Sequence, residues 1–469
     1  MAVLFLTQTG NDKIQVHSYG SYPVHNIDTG LNYTTIQDAV DANETLNGHT
    51  IFVEQGWYTS VIVDKSLTLI GESMVDTKID GFDGWEYRRS MTVQNTSNVY
   101  IMGFTFLDGS DCGIGIEDSE GVTLYANLMM HNFYDGIRVI RSTNVTIAKN
   151  DVARNFDWGI RVFDSDSIHI VGNNVSHNWY GVGLNHSPYC TLTDNLVANN
   201  REIGVSLFYS RNTVFRNNSL LSNANDLEVE GYHGYPPSDY YQDIDNSNML
   251  NEKPMYYWVK KNNQEIPSDA GYVAAIDCSG IRVRDLTLTS QTNGVLFVCT
   301  TWSKIENVTI SNNDCGIRFL DCYFYVFVEG QNTIINNTIV NNRSGVILSN
   351  SGNNTFYHNN FIGNGINVLV SGSPSMWDNG YPFGGNYWSD YQSKYPNATE
   401  SDNSGTWDTA YVIDANNIDH YPLIAPVIVP EIPSSLTLLL FITLTLLTVT
   451  VCRRKPLYQV QSDIYVDER

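Results

Sequence analysis

The sequence predicts an all-β fold, a parallel β-helix in which turns of 22 or 23 residues stack on one another. Glycine followed by Ile or Val recurs with steps of 23, 23, 22 and 23 residues, at Gly113, Gly136, Gly159, Gly181 and Gly204. Asparagine keeps the same steps in two further columns, Asn132, Asn155, Asn178, Asn200, Asn223 and Asn127, Asn150, Asn173, Asn195, Asn218. Three columns that stay in phase over five repeats indicate a solenoid.

The segments between the glycines have the pattern of short strands. "NVTIAKN" and "SIHIVGN" alternate apolar and polar residues, so one face of each is buried. No helical pattern separates them, and three such strands fill one turn. Turns lie about 4.8 Å apart, so each column stacks on its own copies. We expect each Asn to lie at a tight bend with left-handed backbone angles, and its side-chain amide to form hydrogen bonds with the next Asn of the column. We expect each Gly to take backbone angles that other residues cannot adopt.

The repeat predicts the division of the chain, with roughly 11 to 13 turns between about residues 50 and 375. Before the first turn, "TTIQDAVDANETL" places apolar residues at near-helical spacing after two threonines, which predicts an N-terminal capping helix. The predicted segments are an N-terminal segment with a candidate truncated leader (1–33), the β-helix (34–375) with an excursion at about 224–275, a C-terminal cap (376–425), a Pro-containing linker (426–433), a transmembrane helix (434–452) and a cytoplasmic tail (453–469).

The last roughly 40 residues of the chain predict a transmembrane helix. "IPSSLTLLLFITLTLLTVTVC", 432–452, is uncharged and long enough to cross a bilayer core of about 30 Å. "RRK" follows directly and favours the cytoplasmic side, so we expect a single-pass protein of the cell membrane with its large N-terminal body outside. Sequons for N-glycosylation agree with that orientation, at Asn32, Asn43, Asn95, Asn144, Asn174, Asn217, Asn307, Asn336, Asn342, Asn353 and Asn397.

Charge and cysteine usage narrow the function classes. The formal net charge is −24, and no basic stripe is present, which argues against a nucleic-acid partner. Seven cysteines form no CxxC pair, so structural zinc is not expected. Disulfides and buried free thiols both remain open interpretations of these cysteines.

The chain resembles the NosD-type family, also described as periplasmic copper-binding or carbohydrate-binding-and-sugar-hydrolase repeats. The resemblance is carried by "NIDTGLNYTTIQDAV", the repeats, "KPMYYWVKKNNQEIPSDAGYVA" and "GGNYWSDY…YVIDANNIDHYPL". It implies a right-handed β-helix of pectin-lyase type, as in membrane-anchored, mostly archaeal members. It implies little about chemistry, because fold does not fix function.

Metal binding is not the favoured interpretation of this sequence. Related proteins often carry a calcium-like loop before "YVID", but here only Asp402, Asn403 and Asp408 could serve as ligands. Calcium takes six to eight oxygens, so an acidic solvated loop is favoured and no cofactor is expected, with calcium the alternative. The ten histidines form no HxH or HxxxH pair, so a copper site is not expected despite the family name.

Charged residues near the glycine column are candidates for ligand binding or catalysis. Arg138 and Arg161 share one column, and Asp135 and Asp157 lie on neighbouring turns. A surface charge ladder is the favoured interpretation. As a site, the arginines would bind uronate or sulfate groups in a bidentate manner.

Aromatic residues are the second set of candidates. One column consists of Phe133, Phe156 and Trp179, and Tyr134 and Tyr180 flank it. Packing along the turn is the favoured interpretation, but exposed rings would form a platform for sugars. A second candidate platform lies in the excursion, because loops often carry function. Its members are Tyr232, Tyr235, Tyr240, Tyr241, Tyr256, Tyr257 and Trp258.

The sequence therefore favours a cell-surface β-helix that binds an extracellular polysaccharide or an envelope glycoprotein without catalysis. A polysaccharide lyase or glycoside hydrolase, and a NosD-like copper accessory protein, are the alternatives.

Overall fold

The computed structural model describes residues 22–82, 88–232, 236–321, 330–372 and 374–428. The first 21 residues, the predicted transmembrane segment, the predicted tail, Tyr235, Cys322 and Cys452 lie outside these ranges. Among the helices that are described, none has the length and apolarity needed to cross a membrane. The described chain up to Val427 forms one compact unit.

Three walls of strands, A, B and C, build the first stack, and all but the first pairings of wall A are parallel. Wall A consists of Val24–Asn26, Leu31–Tyr33, Thr50–Val53, Thr68–Gly71, Tyr100–Met102, Thr123–Tyr125, Thr146–Ala148, His169–Val171, Thr191–Thr193, Val214–Arg216 and Asp243–Ile244. Wall B consists of Gly56–Thr59, Thr77–Asp80, Thr105–Leu107, Leu128–Met130, Asp151–Ala153, Asn174–Ser176, Leu196–Ala198, Ser219–Leu221 and Met249–Leu250. Wall C consists of Val61–Val63, Met91–Gln94, Cys112–Glu117, Asp135–Ile140, Trp158–Phe163, Tyr180–Asn185, Ile203–Phe208 and Asn225–Glu230.

A second stack follows, with walls D, E and F. Wall D continues the sheet of wall B, because Met249–Leu250 pairs antiparallel with Lys253–Val259. Wall D consists of Lys253–Val259, Tyr272–Ile276, Asn293–Val298, Cys315–Leu320, Ser344–Ser349 and Ile366–Ser371. Wall E consists of Arg282–Arg284, Lys304–Glu306, Thr333–Ile335 and Thr355–Tyr357. Wall F consists of Thr287–Thr289, Thr309–Ser311, Thr338–Val340, Asn360–Ile362 and Tyr387–Trp388. A hairpin, Tyr411–Asp414 and Asn417–Asp419, ends the described strands.

The right-handed parallel β-helix predicted from the sequence is confirmed, with about 14 turns of about 23 residues. The expected 11 to 13 turns are too few because the segment 224–275 is mainly a continuation of the stack. Asp243–Ile244 pairs with wall A, Met249–Leu250 pairs with wall B, and Lys253–Val259 begins wall D. The prediction of a long excursion there is therefore wrong for most of its length.

Wall D joins the two stacks because both faces of its strands Tyr272–Ile276 and Asn293–Val298 are buried. In strand Tyr272–Ile276, Val273 and Ala275 belong to the core of the second stack, whereas Ala274 and Ile276 belong to the core of the first. The same alternation continues in Asn293–Val298, in which every residue is buried. A strand buried on both faces is a near-continuous apolar run, as observed here. We call this region the joint.

The asparagine columns form buried ladders, as Asn150 illustrates. Its Nδ2 donates to Leu124 O (3.0 Å) and Asn173 Oδ1 (3.1 Å), and its Oδ1 accepts from the backbone N (2.9 Å) and Nδ2 (3.2 Å) of Asn127. The left-handed residue at this bend is the preceding Lys149, with φ of 58°. The expected hydrogen bonds are confirmed, but Asn does not supply the left-handed conformation.

The glycine column has a different cause from the one expected. Gly136 does not lie in the left-handed region. A Cβ at this position would lie 2.6 Å from Val152 Cγ1 and 2.7 Å from both Asn155 Nδ2 and Gly159 O. Glycine is therefore required because neighbouring turns approach closely, not because of its backbone angles.

Both ends of the described body are closed by packing. Helix Ile36–Asp41 lies where a capping helix is predicted, and the Thr35 side chain accepts a hydrogen bond from Asp38 N at 3.0 Å. Leu46 lies outside this helix and is 59% exposed, because the helix ends earlier than the pattern indicates. At the other end, the rings of Trp388 and Tyr411 stack with centroids 4.1 Å apart. A 3₁₀ turn, Ser238–Tyr240, and a short helix, Tyr391–Lys394, complete the helical elements of the described ranges.

Candidate functional site

Arg138 lies on the outer surface of wall C, in a chain of ion pairs. Its Nε donates to Asp135 Oδ2 (2.5 Å) and its Nη1 to Asp111 Oδ1 (2.6 Å). Arg89 bonds the other oxygen of Asp111 (2.8 Å) and Glu117 (2.6 Å). Only 15% of the Arg138 side chain is exposed. Its guanidinium is therefore already used within the protein, which argues against the predicted bidentate binding of a uronate or sulfate.

Asp135 is inaccessible to a substrate. Its side chain is 0% exposed, and burial raises its pKa above the usual value although the Arg138 charge acts in the opposite direction. A general acid with a raised pKa is useful only within hydrogen-bond reach of the substrate. Asp135 instead accepts a hydrogen bond from Trp158 N at 3.2 Å, so it positions the next turn.

Arg161, the register partner of Arg138, is more exposed. Its Nη1 lies 3.3 Å from Asp157 Oδ2, and its guanidinium lies over the Phe163 ring at 4.4 Å. The Tyr180 ring stacks on Trp158 with centroids 4.6 Å apart. The predicted residues of this region are thus brought together in one half-buried patch, in which Tyr180 stacks on Trp158 and Arg161 lies over Phe163.

Trp179 belongs to a separate aromatic column on a bend. The Arg201 guanidinium covers its ring at 4.0 Å. In the same column, Phe133 and Phe156 are exposed, but their rings stack on each other at 5.8 Å. Stacked rings present their edges to solvent, whereas a sugar packs on a ring face. The packing interpretation of this column therefore fits the geometry better than a sugar platform.

Tyr240 and Tyr241 do not form a surface platform either. Tyr240 is 0% exposed, and its carbonyl accepts a hydrogen bond from Tyr257 Oη at 2.6 Å. Tyr241 donates to Asp277 Oδ2 at 2.7 Å, and the Lys260 ammonium lies 4.3 Å from its ring centre. Both tyrosines stabilise the joint.

Trp258 lies in a cleft beside the joint. Strand Lys253–Val259 alternates, so Met255 and Tyr257 are buried in the first core while Tyr256 and Trp258 face the other side and are half-buried. The Tyr256 and Trp258 rings are nearly perpendicular, with an interplanar angle of 86° and centroids 6.3 Å apart. They line a cleft of about 460 Å³. We call it the Tyr256–Trp258 cleft.

Polar groups complete the lining of this cleft. Asp243, Asp245, Asn246 and Lys261 lie along it. Arg216 donates to Asp243 Oδ2 at 2.6 Å and lies 3.2 Å from Asp245, so both carboxylates are held in place. Apolar ring surface beside a few fixed polar groups is the usual composition of a small-ligand site.

Tyr256 is held in position from behind. Its Oη donates to Asp269 Oδ1 at 2.9 Å. Burial, and then this hydrogen bond, raise the pKa of Tyr256 above its usual value. The ring is therefore fixed before any ligand enters.

A second groove, of about 940 Å³, follows the bend between walls C and A. Only polar side chains line it. Its charged residues are five acids and one base: Asp64, Asp118, Glu120, Asp164 and Asp166, and Arg141. Arg141 makes two hydrogen bonds to Asp118, at 2.8 and 2.7 Å. We call it the acidic groove.

The calcium candidates are occupied by other contacts. Asp402 accepts a hydrogen bond from Tyr381 Oη at 2.6 Å, and Asp408 accepts from Thr399 N and Oγ1 at 3.1 and 2.7 Å. These hydrogen bonds lower the pKa of both carboxyl groups. Asn403 takes a left-handed turn conformation, with φ of 61°. Throughout the described ranges, no group of three or more His, Cys, Asp or Glu residues is placed to hold a metal ion, so these residues do not fit a copper centre.

Tyr256 was among the aromatic candidates of the segment 224–275, and the alternation in "KPMYYWV" places it on the same face as Trp258. Sequence reasoning missed one feature. A serine ladder beside the acidic groove also has the repeat spacing, and its members are Ser119, Ser142, Ser165, Ser187 and Ser210. The same column search that found the asparagines would have found these serines.

Comparisons with known proteins agree with this architecture. The family model described as "Periplasmic copper-binding protein (NosD)" matches residues 42–251 and 258–393. A "Cell surface glycoprotein" of Methanothermus fervidus is 33% identical over 118 residues, which is 25% of this chain. The match spans only 19% of the length of that relative.

Solved structures give weaker likenesses. An N-terminal fragment of gene product 12 of bacteriophage phi29 is 15% identical, with 70% of this chain and 66% of that chain covered and a TM-score of 0.41. PfbA, a surface adhesin of Streptococcus pneumoniae, is 11% identical, with coverage of 66% and 83% and a TM-score of 0.37. The AlgE4 A-module, a mannuronan C-5 epimerase of Azotobacter vinelandii, is 15% identical, with coverage of 73% and 94% and a TM-score of 0.31. TM-scores below 0.5 carry no functional conclusion.

Proposed function

Since the chain belongs to the NosD family of proteins, we propose that it is a cell-surface β-helix protein that binds glycans without cleaving them. The binding site of this proposal is the Tyr256–Trp258 cleft. Neutral sugars are the preferred ligands, because the cleft combines ring surface with acceptor oxygens and carries no uncompensated arginine.

Two observations support the surface location. The relative from Methanothermus fervidus is named a cell surface glycoprotein. The uncharged segment 434–452 followed by "RRK" is the expected anchor, and it would leave the body outside the membrane. The envelope is therefore the expected source of the glycan, and an envelope glycoprotein that carries it is the expected macromolecular partner.

The perpendicular rings of Tyr256 and Trp258 carry the proposal. One ring can pack against the apolar face of a sugar while the other closes the side of the cleft. The carboxylates of Asp243 and Asp245 can accept hydrogen bonds from sugar hydroxyls. Both are paired with Arg216, an arrangement that suits hydrogen-bond acceptance better than proton donation to a leaving group.

The test is a glycan array with the purified protein, followed by titration of each hit against two variants. Trp258→Ala should weaken binding at least about tenfold, because it removes a central aromatic contact. Trp57→Ala is the matched control, since Trp57 is 63% exposed on wall B and lies outside the cleft. The control should bind as the unmodified protein does.

Each outcome decides between interpretations. Equal binding by both variants would place the ligand elsewhere and contradict the cleft. New reducing ends or unsaturated products on any hit would establish the lyase or hydrolase alternative instead. Stoichiometric uptake of added copper would favour the accessory-protein alternative, for which the described residues supply no cluster.

A further inference from the structure

The chain has a twelfth sequon, Asn185-His186-Ser187, and the twelve differ sharply in exposure. Six have exposed asparagines: Asn32, Asn43, Asn95, Asn144, Asn217 and Asn397. Five are half-buried: Asn174, Asn185, Asn307, Asn336 and Asn353. Asn342 is 2% exposed. The fold therefore separates acceptors that an enzyme can reach from one that it cannot.

Three of the exposed asparagines lie at bends of the first stack. Asn95, Asn144 and Asn217 have φ of 50°, 54° and 54°, so the chain turns at each of them. Within the described ranges, no side-chain hydrogen bond ties down any of these three amides. The hydroxyl residues two positions later, Ser97, Thr146 and Ser219, are half-exposed, so the complete sequon is accessible.

Asn342 is the structural opposite. It belongs to a ladder, and its Nδ2 donates to Ile310 O at 3.1 Å and to Asn364 Oδ1 at 3.0 Å. The hydroxyl residue of its sequon, Ser344, is 8% exposed. A sugar on this nitrogen would need space that the neighbouring turns occupy.

We propose that Asn95, Asn144 and Asn217 carry N-linked glycans and that Asn342 does not. The co-reactant is an oligosaccharide linked to a lipid through phosphate. A bond forms between Nδ2 and the anomeric carbon, the bond from that carbon to the phosphate oxygen breaks, and the amide loses one proton while the lipid phosphate leaves. This modification is separate from ligand binding in the Tyr256–Trp258 cleft.

One acceptor has a consequence for a neighbouring surface. Asn95 lines the acidic groove together with Asp118 and Glu120. A glycan on Asn95 starts inside the groove, and its hydroxyls can donate hydrogen bonds to these carboxylates. The groove is thereby covered by the protein's own carbohydrate.

The test is glycopeptide mass spectrometry on the full-length chain, purified from the membranes of its own host cells. Peptides with Asn95, Asn144 and Asn217 should carry glycan mass, and the peptide with Asn342 should not. Replacing the three acceptors with Gln should remove the corresponding mass. Asn98→Gln is the matched control, because Asn98 is exposed with φ of 55° but has Tyr100 two positions later and so lacks a sequon.

A variant that gains a sequon adds a test whose expected result, a new glycan, cannot come from a folding defect. Tyr100→Thr creates a sequon at Asn98, and Thr fits there because the register partners of Tyr100 are Thr68 and Thr123. This variant should gain one glycan. The proposal is overturned if the three bend asparagines are unmodified while other proteins from the same membranes carry N-glycans. Glycan on Asn342 in the folded protein, or no gain at Asn98, would equally contradict it.

Discussion

Replacing Asn150 with Ala should destabilise the protein far more than replacing an exposed asparagine. The substitution leaves the backbone N–H of Asn127 without its acceptor and removes the bonds to Leu124 O and Asn173 Oδ1. An orphaned buried group costs about 1–3 kcal/mol, and each further bond contributes about 0.5–1.5 kcal/mol, so we expect a loss of about 4 kcal/mol. Asn43→Ala, at an exposed position, should cost less than about 0.5 kcal/mol.

The measurement is urea unfolding, followed by circular dichroism and by tryptophan fluorescence. Coincident transitions from the two probes justify a single free energy of unfolding, which a repeat protein does not guarantee. A loss below about 1 kcal/mol for Asn150→Ala, or similar losses for both variants, would refute the view that the ladder holds the bend together.

Three further changes test other parts of the structure. Gly136→Ala should lower the free energy of unfolding in urea by about 3 kcal/mol, because the new Cβ meets the backbone of a neighbouring turn. Gly56→Ala is the control and should fold normally, because its Cβ would make only ordinary contacts from 3.5 Å. Equal stability of the two variants would contradict the close approach at Gly136. Arg138→Met should cost about 3–5 kcal/mol at pH 7 by leaving Asp135 buried and unpaired. The loss should shrink as the pH is lowered, because burial raises the pKa of that carboxyl and favours its neutral form; a loss independent of pH would contradict this. Burial raises the pKa of Asp419 to about 7, so the folded state holds a proton that the unfolded state releases near pH 4. Its contribution to stability should therefore fall by up to about 1.4 kcal/mol per pH unit from about pH 4 to pH 7, and melting temperatures of Asp419→Asn should show a weaker pH dependence.

The repeated part of the fold could be predicted because the same residue types recur at the same position of every turn. Asn150 and Gly136 recur with their copies, so their positions showed the period, the stacking and the buried face. The physical reason why a given residue type is needed at each position was harder to predict. Whether Gly136 is needed for its backbone angles or for a close contact depends on the distance between turns, which a single sequence does not contain.

The joint could not be predicted from the period, because the period stops there. Strands such as Asp243–Ile244 are two residues long and leave almost no alternating pattern. Tyr240 and Trp258 looked alike in sequence, yet one is fully buried and the other is half-buried in a cleft. Their burial depends on wall D, whose second buried face comes from contacts with the first stack. Only the alternation in Lys253–Val259 was available in advance.

A wall shared by two cores also changes the order in which parts of the protein can fold during synthesis. In an ordinary solenoid each repeat contacts only its neighbours, so a growing chain can fold from its first repeat onward. Here Leu296 and Leu320 contribute to the core of the first stack. During synthesis, the end of that core stays exposed until wall D has been translated. We therefore expect nascent chains that stop before the joint to need chaperones, whereas chains that extend past Leu320 can close the first core.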